Sequence, residues 1–263
     1  MLDKKLIILL FLGAGLFLTS FIPSQPSKDN KVGDAFSSKF SEKAFNGVVV
    51  LELFTSQGCS SCPPADELLQ EVKVRYPDNV FVLSYHVDYW NYIGWADPFS
   101  NKEFTEKQSS YNRKFGYKGN YTPELVVNGK EHLVGSNKGK VSNVINKYSV
   151  LKSENQFIVQ SLNRETDKIN FNYTIAGDIS NKNVRAVLVL NERTTQVKRG
   201  ENRQRTLVNS NIVVAEKTIK IANSSLSGSI TIPSTVKNKE ELILMLIMEN
   251  NNGDILGAVK EAI

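Results

Sequence analysis

The sequence contains very little cysteine. Cys59 and Cys62 are the only two in 263 residues, and a bond between such close neighbours closes a small ring instead of joining distant parts of the chain. General stabilisation by disulfides is therefore excluded. Structural zinc is disfavoured too, because there is no second CxxC motif and no His-x-His pair to supply further ligands. A redox-active pair, an inert local disulfide and two idle thiols remain as interpretations.

Concentrated charge is also missing. The chain carries 32 Lys and Arg residues against 27 Asp and Glu, a net charge of +5, but the cations are scattered along it. Nucleic-acid partners are disfavoured, because a phosphate backbone is bound by clustered cations. A hydrophobic content of 41% over 263 residues allows a large core and two domains.

The N-terminal segment lacks a clean cleavage site. Lys4 and Lys5 precede an apolar run at residues 6–18, an order typical of a signal peptide. Apolar character continues to Ile22, close to the ~20 residues that a membrane-spanning helix needs. Residues 1–27 are therefore predicted to be a signal peptide or a retained N-terminal membrane anchor. Either alternative predicts a periplasmic or otherwise extracytoplasmic protein, secreted or tethered to the membrane, in a compartment where disulfides persist.

The residues around the cysteines predict a strand, a short loop and a helix. Residues 48–54 form an apolar, β-branched run typical of a buried parallel strand. After two prolines, apolar residues recur on one helical face, at Ala65, Leu68, Leu69 and Val72. Cys59 is expected at the helix start, where unsatisfied N–H groups and the helix dipole lower the pKa of a thiol. It is also expected to be the more exposed of the two cysteines. Cys62, one turn on, is expected to be more buried and to act as the resolving thiol.

Residues 31–152 alternate between predicted strands and helices. A second strand is predicted at residues 80–87, and a second helix from Asp97-Pro98 to about residue 114. Asn128-Gly129 favours a hairpin turn, and a final amphipathic helix is marked by Val141, Val144, Ile145 and Tyr148. This order of elements predicts a thioredoxin-like α/β domain.

The remainder of the chain, residues 155–263, has a different pattern. Seven short apolar or alternating runs are separated by Asn, Gly and Ser, at residues 156–162, 168–175, 184–190, 205–221, 228–232, 242–248 and 255–259. Strands at this spacing are typical of an antiparallel sandwich. The predicted fold class is thus α/β, with a thioredoxin-like N-terminal domain and an all-β antiparallel, sandwich-like C-terminal domain.

Five motifs carry a resemblance to a known family. They are LFTSQGCSSCPPAD at residues 53–66 and the segments 85–90, 94–99, 121–123 and 199–202. Together they resemble a bacterial secreted family catalogued as domain of unknown function 1223, over nearly the whole mature chain. The resemblance implies a thioredoxin-like domain followed by a β-rich domain, and it implies no activity. It also leads us to expect that the charged loop at residues 199–205 docks onto an aromatic-rich loop within residues 85–99.

Tyr121-Thr122-Pro123 precedes the third predicted strand. Thioredoxin folds carry a cis-proline at this point, facing the CxxC motif, and the main chain of Thr122 is then expected to pair with an extended substrate segment. The Thr122–Pro123 bond is therefore predicted to be cis, which is uncommon in folded proteins. The alternative is an ordinary trans proline at the start of an edge strand.

Three ionisable residues are candidates for supporting roles. His86 and Asp88 lie at the end of the second predicted strand, at the carboxyl edge of the sheet where α/β proteins place ligands. In the functional interpretation, His86 stabilises the Cys59 thiolate, shuttles a proton or binds a metal. In the structural interpretation, it is a hydrogen-bonded residue that supports the following loop. Glu52 is the one charge in an apolar strand, so it either accepts the proton of Cys62 or points to solvent.

The leading functional hypothesis is an extracytoplasmic thiol–disulfide oxidoreductase acting on protein or small-molecule thiols and disulfides. The Cys59 thiolate attacks a substrate disulfide and Cys62 resolves the mixed disulfide; no cofactor and no resident metal are expected. One alternative is a Cu(I)-binding or delivery protein that uses both cysteines and His86. The other is a non-catalytic binding module in which the CxxC pair is a local staple.

Overall fold

β-Strands predominate in the structure. The computed structural model describes residues 45–237 and 239–263, which contain eleven strands and three α-helices. The strands are β1 (Val49–Thr55), β2 (Val80–His86), β3 (Glu124–Val127), β4 (Glu131–Val134), β5 (Gln156–Arg164), β6 (Lys168–Ala176), β7 (Lys182–Gln196), β8 (Thr206–Lys220), β9 (Ser225–Thr231), β10 (Leu242–Asn250) and β11 (Ile255–Ala262). The helices are α1 (Pro63–Arg75), α2 (Lys102–Lys114) and α3 (Lys138–Ser149).

The predicted signal peptide or anchor, residues 1–27, lies outside the described residues. None of the helices within the described ranges is long and apolar enough to cross a membrane.

Eight strands form one mixed sheet, in the order β11-β10-β7-β8-β2-β1-β3-β4. β1 and β2 run parallel, with Thr55 opposite His86, and β3 is antiparallel to β1. β2 is bridged to β8, where Ser84 lies opposite Ile212. The remaining strands β5, β6 and β9 form a three-stranded antiparallel sheet.

This shared sheet shows that the predicted fold class is wrong. A thioredoxin-like α/β domain beside an all-β sandwich requires a separate sheet for each half of the chain, whereas β1–β4 and the C-terminal strands β7, β8, β10 and β11 belong to one sheet. The chain is predominantly β, and β1–β4 form no self-contained α/β domain. The expected boundary at residues 152–155 falls in the connection from α3 to β5, and the division into two folding units there stays a prediction.

Alternation along the strands divides the core between the two faces of the large sheet. On one face, Phe54 of β1, Tyr85 of β2 and Val187 of β7 share a cluster with Phe104 and Tyr111 of α2. The opposite face of β7 and β10 contributes to a second cluster with the three-stranded sheet, which includes Phe171, Tyr173, Val184, Leu188, Leu244 and Leu246. α1 lies on the face of β1 opposite to α2, where Thr55 contacts Asp66.

The individual elements agree well with the sequence pattern. All seven predicted C-terminal strands are present as β5–β11, and the hairpin turn has positive φ at Asn128 (47°) and Gly129 (65°), as a type I′ turn requires. The second helix differs at its start. It begins at Lys102 and is capped by Asn101, whose side chain accepts from the amide of Glu103, and not by Asp97. Asp97 is thereby free for a different role.

Candidate redox site

Cys59 and Cys62 are joined by a disulfide, with 5.5 Å between their Cα atoms. After β1 ends, a turn forms in which the amide of Cys59 donates to the carbonyl of Ser56 (3.1 Å) and that of Cys62 to the carbonyl of Cys59 (3.3 Å). Cys62 is the N-cap of α1, and Pro63 follows at a position where its missing N–H leaves no helical bond unmade. Cys59 therefore lies in the turn that precedes the helix, slightly earlier than predicted.

Both cysteines are fully buried, with 0% exposure each. The prediction that Cys59 is the more exposed of the two is therefore wrong for the disulfide form. Ser60 and Ser61, between them, are exposed. The hydroxyl of Ser61 lies 3.3 Å from Sγ of Cys59, so a polar side chain in contact with solvent shields this sulfur.

Thr122 and Pro123 lie beside the CxxC turn. Their peptide bond is cis, as predicted. The carbonyl of Thr122 accepts from the Ser61 hydroxyl at 3.4 Å, and the Thr122 hydroxyl accepts from Nε1 of Trp90 at 2.8 Å. The structure thus brings the segment predicted to bind substrate next to the two cysteines.

His86 is completely buried at the end of β2. Its Nδ1 lies 2.7 Å from Oδ2 of Asp97, which also accepts from the amide of Gln57 at 2.7 Å. Nε2 of His86 is buried and has no hydrogen-bond partner among residues 45–237 and 239–263. Burial acts to lower the pKa of His86, but the charge and hydrogen bond of Asp97 outweigh it and raise this pKa. Burial acts to raise the pKa of Asp97, but His86 and the bonded amides hold it below its usual range.

Asp66 lies one helical turn after Cys62 and interacts electrostatically with His86 and Asp97. Its amide donates to the carbonyl of Cys62 at 3.2 Å, and residues four apart lie on the same helix face. Its Oδ2 accepts from the hydroxyl of Thr55 at 3.2 Å. Burial raises the pKa of Asp66 to about 7, although the nearby His86 opposes the shift. A cavity of 210 Å³ between α1 and the first residues of β8 borders this carboxyl group. Asp66, His86 and Asp97 are called the acid–base cluster below.

Glu52 lies away from the cysteines. It sits on β1 with Phe54, on the face opposite to Thr55, and it is fully buried. Its carboxylate accepts from Nη1 of Arg185 at 2.7 Å and from the hydroxyl of Tyr111 at 2.7 Å. Neither interpretation of Glu52 therefore holds, because it neither faces Cys62 nor points to solvent.

Asp88 has a structural contact. Its Oδ1 accepts from the hydroxyl of Thr105 at 2.6 Å, and the same hydroxyl accepts from the amide of Asp88 at 3.2 Å. Asp88 thereby holds the loop after β2 against the first turns of α2. The structure does not bring it into the acid–base cluster.

The connection between β7 and β8, residues 197–205, is called the hairpin tip, and it contacts the CxxC turn directly. Asn202 is fully buried there, and its side-chain amide donates to the carbonyls of Gln57 (2.9 Å) and Cys59 (2.8 Å). Oε2 of Glu201 accepts from the amide of Ser60 at 3.0 Å. Gly200 packs against Ile93 and Trp95, since a Cβ built on it would lie 3.1 Å and 3.4 Å from their side chains. The expected docking onto the aromatic-rich loop is confirmed.

Three residues of the site were missed or misread from the sequence. The sequence pattern assigns no role to Asp66, four residues after Cys62, and predicts a helix start at Asp97. Asn202 is expected only as a member of the docking loop at residues 199–205, without a contact to the CxxC turn. The sequence contains little information that could have identified these three residues. Asp66 has the spacing of one helical turn after Cys62, whereas the contacts of Asp97 and Asn202 depend on tertiary packing.

A metal site at the cysteines would need several donor side chains directed at one point. Among residues 45–237 and 239–263, no group of three or more His, Cys, Asp and Glu side chains is arranged to hold a metal ion. Cys59, Cys62 and His86 are therefore not arranged as a ligand set in the disulfide form.

Comparison with known proteins supports the resemblance. The family model described as protein of unknown function (DUF1223) matches residues 50–248. The crystal structure of protein AGR_C_4864 from Agrobacterium tumefaciens is 31% identical, with a TM-score of 0.58 over 84% of this chain and 95% of the other. HBP35 of Porphyromonas gingivalis is 17% identical, with a TM-score of 0.57 over 84% and 76% of the two chains, and shows a shared fold alone. No curated protein matches. The chain belongs to the DUF1223 family.

Proposed function

We propose that the protein is an extracytoplasmic thiol–disulfide oxidoreductase whose Cys59–Cys62 pair exchanges with protein or small-molecule thiols and disulfides. One observation carries the proposal. The only two cysteines of the chain form a disulfide at the start of α1, and Asp66, a half-buried carboxyl group with a pKa of about 7, follows one turn later. An inert staple needs no such group, whereas thiol exchange requires a site for protons.

The exchange proceeds in two displacements. In the dithiol form, the Cys59 thiolate attacks one sulfur of a substrate disulfide, a mixed disulfide forms, and the other substrate sulfur leaves as a thiolate. Cys62 then loses its proton and attacks Sγ of Cys59, which releases the second substrate thiolate and forms the Cys59–Cys62 disulfide. The substrate gains two electrons and the protein pair loses two. An external dithiol returns the protein to its reduced form by the reverse steps.

Asp66 is the group we assign to the proton of Cys62. It shares the helix face of Cys62 and is partly exposed to the cavity beside β8, so it can return the proton to solvent. Asp97 anchors His86 at Nδ1, and the second ring nitrogen, Nε2, is buried with no hydrogen-bond partner in the part of the chain that the structure describes. Protonation of His86 lowers the free energy needed to ionise Asp66, since a nearby positive charge favours the carboxylate.

Access to Cys59 needs a local movement, because both sulfurs are buried in the disulfide form. The exposed Ser60 and Ser61 lie over the pair, and Thr122 provides an adjacent main chain. A substrate strand that pairs with Thr122 displaces the Ser61 hydroxyl from its carbonyl. Main-chain pairing of this kind binds many sequences, which suits an enzyme that acts on several disulfides.

The test is disulfide exchange by purified protein. We expect wild-type protein to catalyse insulin reduction by a dithiol, Cys59→Ser to abolish it, and Cys62→Ser to accumulate a mixed disulfide at Cys59 that mass spectrometry maps. Ser60→Ala serves as the matched control and retains activity. Wild-type protein that gives no exchange above the uncatalysed rate contradicts the proposal. Stoichiometric Cu(I) binding by the reduced form, without exchange, would replace it by the metal-delivery alternative.

A further inference from the structure

A cleft of 480 Å³ lies against the hairpin tip. It is lined by Ile93, Lys198, Arg199, Gly200, Glu201 and Arg203. Its volume falls within the range of small-ligand sites, roughly 300–1,000 Å³. The cleft is separate from the cavity that borders Asp66 and is not used by the proton transfer described above.

The cleft begins next to the disulfide. Ile93 is its apolar wall, and the same side chain packs against Gly58, the residue before Cys59, where a built Cβ would lie 3.3 Å from Cδ1 of Ile93. On the other side Glu201 accepts from the amide of Ser60. A molecule bound in the cleft therefore lies alongside the CxxC turn.

The charge of the cleft is one-sided. Lys198, Arg199 and Arg203 are exposed, and none has a carboxylate within salt-bridge distance in the part of the chain that the structure describes. The single acidic residue, Glu201, is engaged by Ser60. Two guanidinium groups and one ammonium group are thus available to a ligand, and guanidinium binds carboxylates through two parallel hydrogen bonds.

We infer that this cleft selects substrates, and that it binds acidic peptide segments whose Asp or Glu side chains flank the reactive cysteine. The inference rests on the proposed function and names its substrate class. Carboxylates on the peptide pair with Arg199 and Arg203 while the adjacent substrate sulfur faces Cys59. The same cations also favour departure of a thiolate from a nearby sulfur.

The kinetic test uses two peptides that differ only in charge. Each carries one cysteine as a neutral thiopyridyl disulfide, flanked by two glutamates in one peptide and by two glutamines in the other. Attack by the reduced protein on the peptide sulfur releases thiopyridone, whose absorbance gives the second-order rate constant. The proteins are wild type, the double variant Arg199→Gln/Arg203→Gln, and the control Lys220→Gln, which lies at the far end of β8, about 45 Å along the strand.

We expect wild type and Lys220→Gln to react on the order of tenfold faster with the acidic peptide at low ionic strength, because each close charge pair contributes modestly. The ratio should fall towards one in the double variant and at high salt. Equal ratios in all three proteins overturn the inference and leave the oxidoreductase proposal intact.

A binding measurement separates the inference from the proposed function. Peptides with serine in place of cysteine cannot exchange, so their titration into isotope-labelled protein reports the cleft alone. We expect the acidic peptide to shift the amide resonances of Ile93 and Gly200 in wild type but not in the double variant. If neither thiopyridyl peptide reacts, the proposed function fails, and this titration still decides the inference. Equal shifts with acidic and neutral peptides overturn it.

Discussion

In the proposed exchange, Asp66 is the residue that handles the proton of Cys62. A carboxyl group with a pKa of about 7 is half ionised at neutral pH, so it both accepts and donates a proton at little cost. Glu52, the carboxylate that stands out in the sequence, is instead tied to Arg185. The difference arises because strand alternation sends Glu52 and Thr55 to opposite faces of the sheet.

Replacing Asp66 by Asn should stabilise the protein at pH 8 and leave its stability at pH 4 almost unchanged. The folded-state pKa of about 7 lies above the usual 3.8, so folding favours the protonated form and stability is lost as pH rises from about 4 through 7. Asn does not titrate, so the free energy of unfolding of the variant at pH 8 should exceed that of wild type by up to about 4 kcal/mol. The measurement is urea unfolding of wild type and variant at both pH values.

The matched control for this prediction is Glu67→Gln, on the neighbouring exposed position of α1. It should leave the pH dependence of unfolding as in wild type. Asp66→Asn should also slow thiol–disulfide exchange with a substrate, because Cys62 loses its proposed proton acceptor. A variant that is destabilised equally at both pH values, with unaltered exchange, shows that Asp66 is a structural residue only.

At the scale of elements, the hairpin tip and the CxxC turn form one unit. The tip comes from strands more than 100 residues further along the chain, yet Asn202 donates to two carbonyls of the turn. The sequence allowed each strand to be predicted from its own alternation, since that pattern is local. It did not reveal that β2 joins β8, because alternation identifies a buried face but not the partner strand.

Asn202→Ala should lower the free energy of unfolding by about 2–4 kcal/mol, because the carbonyls of Gln57 and Cys59 lose the side-chain amide that donates to both of them. Asn202→Asp should be at least as harmful near neutral pH, since it places a carboxylate against the carbonyls of Gln57 and Cys59. Glu201→Gln is the control and should have little effect, because it is exposed and retains an oxygen for the amide of Ser60. Chemical denaturation of the disulfide form measures all three, and a variant Asn202→Ala as stable as wild type contradicts the assignment.

On the scale of the whole molecule, buried charge links the two halves of the chain. Arg185 of β7 is 1% exposed and contacts Glu52 of β1, Tyr85 of β2, Glu216 of β8 and Glu249 of β10. These side chains lie between the large sheet and α2. A buried carboxylate is costly without its partner, so Glu52 of the N-terminal half requires Arg185 of the C-terminal half.

A fragment of residues 31–152 should therefore fail to fold as an independent unit, even though the sequence pattern predicts a domain there. Without β8 the edge of β2 is unpaired. Without Arg185, the partners left to the buried Glu52 within the described ranges are the Tyr111 hydroxyl and the more distant Lys107. We expect the fragment to lack a cooperative thermal transition and to regain α2 protection in hydrogen exchange only when residues 155–263 are supplied.

The full-length Arg185→Ala protein should lose about 3–5 kcal/mol of stability. Amide hydrogen exchange should become faster in β1 and in β10 alike. Two outcomes would show that the chain consists of two folding units with a boundary at residues 152–155. One is cooperative unfolding of the isolated fragment, and the other is a loss of hydrogen-exchange protection in Arg185→Ala that is confined to the C-terminal strands.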